Sequence, residues 1–283
     1  MTSDGFVIRT MTRGELDIAI EWAAAEGWNP GLHDADAYYA VDPEGFFIGL
    51  LEGEPAGSIS AVKYDAGYVF WGFFIVKPEH RGRGYGLRLW QHAEAALNGA
   101  IAGLDGVLAQ TQNYARSGFV EAYHNLRYRG VAGSTSDIDP RVAVYTRADL
   151  DAVERYDRRC FPAPRHAFLD RWLRQPQAHA LLYRDGDGLA GYGMVRPARD
   201  GYRIGPLFAN GAREANALFV ALVLRLPRGA PVYIDVPQPN GVAIDLVTRR
   251  GMTPMFGTAR MYRGPSPVID LAKVFGVTTL ELG

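Results

Sequence analysis

Cysteine is almost missing: Cys160 is the one cysteine in 283 residues. No internal disulfide can form, and such sparing use suits a reducing compartment, so a cytoplasmic protein is expected. Beside Phe161, this thiol reads as a small buried apolar group. Net charge is almost missing too, with 30 Lys and Arg against 31 Asp and Glu. A general nucleic-acid binder needs a strongly basic surface, so that class is excluded. No window approaches the ~20 apolar residues of a membrane span. The start, Met1 to Asp17, lacks the basic-then-apolar pattern of a secretory signal. No cluster of His, Cys, Asp and Glu has metal-ligand spacing, so no metal is expected. What is plentiful is apolar character, at 48% of residues, which excludes a disordered chain. Glycine is also plentiful at 33 residues, and its one dense cluster is Gly82, Gly84 and Gly86.

The sequence repeats itself at a fixed offset. Thr12-Arg13-Gly14-Glu15-Leu16-Asp17 returns as Thr146-Arg147-Ala148-Asp149-Leu150-Asp151. Ala56-Gly57 returns as Ala190-Gly191, Tyr68 with Phe74 as Tyr202 with Phe208, and Tyr128-Arg129-Gly130 as Tyr262-Arg263-Gly264. Each pair is separated by 134 positions (146 − 12, 190 − 56, 202 − 68, 262 − 128). Four ordered matches at one spacing imply a duplicated domain. The expected layout is a first domain over 1–133, a polar turn-rich linker over 134–140, a second domain over 141–264 and a tail over 265–283. Val274, Phe275 and Leu280 make the tail a segment that docks.

In the first copy, Ile8 lies in a short strand. Thr12 and Glu15 form a capping box for a helix over Leu16 to Ala25. Phe46 to Leu51 and Gly57 to Tyr64 read as strands, and Tyr68 to Val76 is a long aromatic and β-branched one. Leu89, Trp90, Ala93, Ala96 and Leu97 recur at helical spacing. Val107 to Thr111 reads as a strand, and closing strands begin at Phe119. This β-α-β-β-β-loop-α-β-α-β order predicts an α/β (α+β) fold, each copy a mixed, mostly antiparallel sheet flanked by helices.

Between the long strand and the next helix lies Lys77-Pro78-Glu79-His80-Arg81-Gly82-Arg83-Gly84-Tyr85-Gly86-Leu87. Glycines here free backbone N–H groups to point into one concavity ahead of a helix N-terminus, which makes an anion site. Arg81, Arg83 and Arg88 add positive charge suited to a diphosphate. A dinucleotide loop would need glycine at 87, where leucine stands, and a P-loop would need Gly-Lys-Ser/Thr.

At these residues the chain resembles the GNAT superfamily of acetyl-CoA-dependent N-acetyltransferases, and its wider sequence the bacterial two-domain branch. Arg81, Gly84 and Gly86 fall on the family's Arg/Gln-x-x-Gly-x-Gly/Ala loop after Val76 and Pro78. Tyr114 stands four residues before Gly118-Phe119, the second hallmark. The resemblance covers residues ~5 to 130. The usual Asn-x-x-Ala-x-x-Leu ahead of the tyrosine is replaced by Val107, Gln110 and Asn113, so a short helix is expected there. The resemblance implies acetyl-CoA as cosubstrate, held by Phe74, Ile75, Val76, Arg81, Gly82, Arg83, Gly84, Tyr85, Gly86 and Asn113. It also implies direct attack of a neutral amine on the thioester, with Tyr114 as general acid to the CoA thiolate. The pantetheine arm would run along Phe73 to Val76 like an added strand.

The strand from Tyr68 to Val76 carries no carboxylate, so a base cannot sit on it. The segment Glu26 to Asp36 offers Glu26, His33, Asp34 and Asp36, of which Glu26 is the catalytic candidate, relaying a proton through water, with Trp28 packing the acceptor. His124 and Glu121 are further candidates, and His80 reads as a loop residue. In the second copy, Ala215 to Val220 replace Arg81 to Gly86 and should be helical. Asn240, Ala243, Leu246 and Gly251 keep the late-helix spacing, but Val247 stands at the tyrosine place. One CoA per chain is therefore expected. The partner is a small amine or a peptide, with no nucleic acid and no membrane, and the chain is a monomer or homodimer. The alternatives are a protein or peptide N-acetyltransferase and a non-catalytic acyl-CoA-binding or regulatory protein.

Overall fold

The computed structural model describes residues 5–64, 67–95, 97, 99–133, 137–186 and 188–283. Ala96, residues 1–4 of the start and 134–136 of the expected linker lie outside them. The first half runs β1 (Phe6–Thr10), α1 (Arg13–Ala25), α2 (Asp34–Tyr39), β2 (Phe46–Leu51), β3 (Glu54–Tyr64) and β4 (Tyr68–Val76). It continues with α3 (Tyr85–Ala95), β5 (Ile101–Val107), α4 (Thr111–Arg116) and β6 (Val120–Val131). The second half runs β7 (Val142–Val144), α5 (Leu150–Asp157), α6 (His166–Trp172), β8 (His179–Asp185), β9 (Gly188–Pro197) and β10 (Tyr202–Ala209). Then come α7 (Ala212–Val223), β11 (Pro231–Pro237), α8 (Gly241–Thr248), β12 (Thr253–Arg263) and, in the tail, β13 (Val274–Gly276).

Repeated sequence gives repeated structure. Both capping boxes form: Thr12 with Glu15 ahead of α1, and Thr146 with Asp149 ahead of α5. β4 and β10 begin at Tyr68 and Tyr202, 134 positions apart. Two local readings need correcting. The strand expected over Val107 to Thr111 is β5, which ends at Val107, and Leu108 onward turns into helix. Glycines obscure β5 in the sequence, yet they are required. A Cβ at Gly103 would collide with the Tyr68 hydroxyl, and one at Gly106 with the Tyr114 ring. Helix α2 was not foreseen.

The larger departure is topological. Each half does not close its own sheet. The strand order is β1-β2-β3-β4-β5-β12-β6-β11-β10-β9-β8-β7. The last strand of the second half, β12, pairs with β5, from Thr258 against Val107 to Arg263 against Ala102. The last strand of the first half, β6, pairs with β11, from Val131 against Pro231 to Asn125 against Pro237. β12 and β6 pair with each other between them. The halves have exchanged closing strands, and one 13-stranded sheet runs through the molecule.

In both halves the two central parallel strands splay. β4 and β5 pair from Tyr68–Ile101 to Trp71–Leu104 and then part. β10 and β11 pair from Tyr202–Val232 to Ile204–Ile234 and then part. β13 fills the second gap by pairing with β10 at Leu207 and Phe208. The tail does dock. It passes Gly205, where a Cβ would meet the Thr278 carbonyl oxygen at 2.5 Å, and then Gly72, where a Cβ would strike the Glu281 carbonyl. Tyr64 donates to the Leu282 carbonyl at 3.0 Å. Leu16 of α1, Tyr38 of α2, Trp172 of α6 and Leu282 share one apolar cluster, so the junction of the halves is itself core. Cys160 is buried there, and burial pushes its thiol up.

Candidate active site

The splay of β4 from β5 opens a cavity of about 340 Å³. Its shape begins with a bulge. Ser58 faces Ile75 and Ser60 faces Gly72, so two residues of β4 stand against one of β3. Phe73, within the bulge, takes a φ of 46°. Beyond Trp71 the β5 edge of β4 has no strand neighbour, so its backbone groups are available to a ligand lying alongside.

At the far end of β4 the chain enters the glycine loop. Gly82 and Gly84 have φ of 75° and 84°. A Cβ at either would meet nothing within 4 Å, so it is the left-handed backbone that requires glycine there. Gly86 differs: its φ is not in that region, and a Cβ would meet Phe74 at 3.4 Å and Val76 at 3.5 Å. It lets α3 pack against β4. Arg81 closes the loop onto the strand, donating from Nε to the Val76 carbonyl at 2.8 Å and pairing through Nη2 with Glu26. Tyr85 turns inward and stacks on Phe6 at 4.4 Å between ring centres, with the His80 ring edge-on to it at 6.4 Å. Arg88 donates to the Phe6 carbonyl at 2.7 Å and lies over that ring.

Tyr114 enters the cavity from α4 and packs parallel to Trp90, with ring centres 5.6 Å apart. It is buried, and burial pushes its hydroxyl up to about 12. It therefore holds its proton at neutral pH.

Of the residues expected to act, Glu26, Phe74, Ile75, Val76, Arg81 and Tyr114 line the cavity together, with Trp28. Gly82, Arg83, Gly84, Tyr85 and Gly86 form the loop beside it. Asn113 is exposed on α4 and does not itself line the cavity, but it donates at 2.5 Å to Oε1 of Gln110, which does, and accepts from Arg116 at 3.2 Å. Asp36 pairs with Arg13 at 2.7 Å on the surface. Asp34 is fully buried, held by Arg196 at 2.7 Å and by the Gly31 N–H at 2.9 Å. Burial works against its charge, but the Arg196 and Arg203 guanidiniums outweigh burial and keep the carboxyl below its ordinary value. His124 pairs with Glu121 at 2.9 Å on β6, apart from the cavity. His33 precedes α2 and is not in the wall.

Several wall residues escaped sequence reasoning. Phe256 and Thr258 come from the exchanged strand β12, Leu280 and Glu281 from the tail, and Asp105 from β5. Asp105 is buried and gripped by Arg260 at 2.6 Å and 2.9 Å, with Asn125 donating at 2.8 Å. Burial raises its carboxyl even so. Glu281 meets Arg203 at 3.6 Å and the hydroxyls of Thr279 and Tyr38. A carboxylate inside a glycine-rich strand and another in an apolar tail were the available signals, because buried charges come with partners. The side-chain polar atoms Trp71 Nε1, Trp90 Nε1 and Thr258 Oγ1 are buried in this wall without a partner. Such atoms mark where a ligand's polar groups are satisfied.

Among the described residues, no group of three or more His, Cys, Asp and Glu is placed to hold a metal, and no helix is long and apolar enough to cross a membrane. Family models match both halves: the acetyltransferase (GNAT) family over residues 16–122 and an acetyltransferase (GNAT) domain over 153–276. A holothin acyltransferase of Pseudoalteromonas sp. (strain SANK 73390) is 36% identical over 269 residues, which cover 95% of this chain and 92% of that one. A candidate acetyltransferase of Pyrococcus horikoshii superposes with a TM-score of 0.85 at 20% identity, covering 100% of this chain and 98% of that one. A tandem GNAT protein from the clavulanic acid biosynthesis pathway superposes with 0.63 at 14% identity, covering 92% and 99%. At these identities the two structures speak for the fold.

Proposed function

The chain belongs to the GNAT family of acetyltransferases and is an acyltransferase that draws on an acyl-CoA, and from that premise we propose that it moves an acetyl group from acetyl-CoA to the primary amine of a small molecule. The observation that carries this reading is the open splay of β4 from β5, with the glycine loop at one end and Tyr114 beside it. The diphosphate of CoA meets the N–H groups of residues 82–86, with Arg81 and Arg83 near. Pantetheine lies along Phe73 to Val76, and the thioester reaches Tyr114. The tail residues Leu280 and Glu281 complete the wall, and we take a small acceptor in preference to a peptide.

A neutral amine nitrogen attacks the thioester carbon, forming the C–N bond. The C–S bond then breaks and leaves a thiolate. Tyr114 donates to that sulfur. With its hydroxyl raised to about 12, above the ordinary thiol value near 8.5, it acts first as a hydrogen-bond donor to the developing charge. The proton follows as the nitrogen sheds its own, through water to Glu26 at the cavity mouth. Protons balance: one leaves nitrogen for Glu26 and one leaves Tyr114 for sulfur, and water carries the first from Glu26 back to Tyr114, restoring both.

Tyr114→Phe tests this reading. The ring and its packing on Trp90 stay while the proton goes. A positioned general acid contributes roughly 10²- to 10⁴-fold, so kcat should fall at least about tenfold with acetyl-CoA affinity nearly unchanged. Free-thiol release and calorimetry measure the two. The pH profile adds a check. A hydroxyl at about 12 stays protonated as pH rises, so wild-type kcat should show no alkaline fall below about pH 10. Wild-type turnover in the variant, or an alkaline limb near pH 8 that the variant retains, would assign the acid differently.

A further inference from the structure

The cavity wall holds carboxylates, and every one of them is already matched by an arginine. Glu26 pairs with Arg81 and Asp105 with Arg260, while Glu281 lies 3.6 Å from Arg203, whose nearer partner at 2.7 Å is Asp235, itself also held by Arg127. Asp105 and Glu281 are also buried to within a few percent, their oxygens turned into that bonding. The rest of the acceptor end is apolar and aromatic: Trp28, Phe73, Phe256 and Leu280, with the unpartnered Thr258 hydroxyl among them. An alkylammonium entering this space would leave water and find no unmatched negative charge, and a cation buried without a partner is strongly disfavoured. A neutral nitrogen meets no such cost, and a flat ring fits between aromatic side chains.

Resting on the acetyl-transfer reading above, we infer that the acceptor is a weakly basic aromatic or heteroaromatic amine, uncharged at neutral pH, rather than an alkylamine. The same pairing fits the part given to Glu26: held by Arg81, it takes up a proton through water after attack and has no ammonium to strip beforehand. An amine that arrives uncharged needs no deprotonation before attack. After attack its nitrogen carries a positive charge and gives up a proton readily to water. For an ordinary alkylamine, with a pKa like that of lysine near 10.4, only roughly one molecule in a few thousand is neutral at pH 7.

The experiment compares para-toluidine with benzylamine, which share one molecular formula and differ in basicity. Wild-type protein and acetyl-CoA are used, with amide product read by mass spectrometry and free thiol in parallel. At pH 7, kcat/KM for para-toluidine should exceed that for benzylamine by at least about threefold: its much larger neutral fraction is partly offset by its weaker nucleophilicity. It should also stay flat between about pH 6.5 and 9, while the benzylamine rate climbs with pH. Benzylamine preferred at pH 7 would overturn the inference and leave the acetyl-transfer reading standing. No amide from either amine, with acetyl-CoA binding intact by calorimetry, would instead remove the acetyl-transfer reading and this inference with it.

Discussion

The two halves contain the same splayed pair of central strands and use it in opposite ways. Between β4 and β5 the gap is open, and glycines 82 and 84 lead out of it in a left-handed loop. Between β10 and β11 the gap is stopped by β13, which pairs with Leu207 and Phe208, the counterparts of Phe73 and Phe74 at the 134 offset. The loop has gone as well. Helix α7 begins at Ala212, the place of Pro78, seven residues ahead of the place where α3 begins (85 − 78). Its N–H groups are spent on carbonyls four residues back. A duplicated fold has left one groove open and filled the other with its own chain. The shared architecture specifies a cleft, and local sequence decides what lies in it.

The hardest blow to this contrast is Gly84→Val. It forces a β-branched side chain onto a φ of 84°, and it should abolish acyl-CoA binding while the fold is retained. Calorimetric titration of the wild type should saturate near one CoA per chain. A second saturable site surviving Gly84→Val would mean that β13 yields its groove to ligand.

Next in size is the joint between the halves. Asp34→Ala strands the Arg196 guanidinium in the interior, and losing one partner of a buried pair costs about 3–5 kcal/mol. Denaturant unfolding should fall by that amount in a single transition seen equally by probes in both halves. Two separated transitions would show that the exchanged strands do not couple them.

The smallest effect is expected at Gly211, which precedes α7 with an extended φ of −170° and no side-chain cap. Gly211→Ser supplies a capping hydroxyl and should add a few tenths of a kcal/mol, about a degree in Tm, without touching turnover. The matching change at Gly84 would not be silent, because only there is the backbone left-handed.

The loop, Tyr114 and the duplication were legible because each is written within a short stretch. Arg81 to Gly86 is six consecutive residues, and Tyr114 with Gly118-Phe119 is another six. The rest depends on distant pairs. Asp34 looked like a candidate base because its partner Arg196 lies 162 residues away. Phe256 and Thr258 belong to a strand whose alternation suits either sheet, since β6 and β12 carry copies of one pattern. Nothing local says which strand closes which half. Glu26, named from the sequence as a relay candidate, lines the cavity, but its pairing with Arg81 was not readable across 55 positions.

The exchange of closing strands also sets an order of events at the ribosome. Strand β5 is finished by residue 107, yet its outer neighbour β12 begins at Thr253 and the tail that walls the cavity ends at Gly283. The first half must emerge and wait with a raw sheet edge until Thr253–Arg263 has been made. Contacts of such sequence separation form slowly, and exposed edges invite pairing between chains. Synthesised alone, the first half would carry the glycine loop and Tyr114 but present β5 unpaired. Expression of isolated halves should therefore give aggregation-prone material, because each half lacks the other's closing strand.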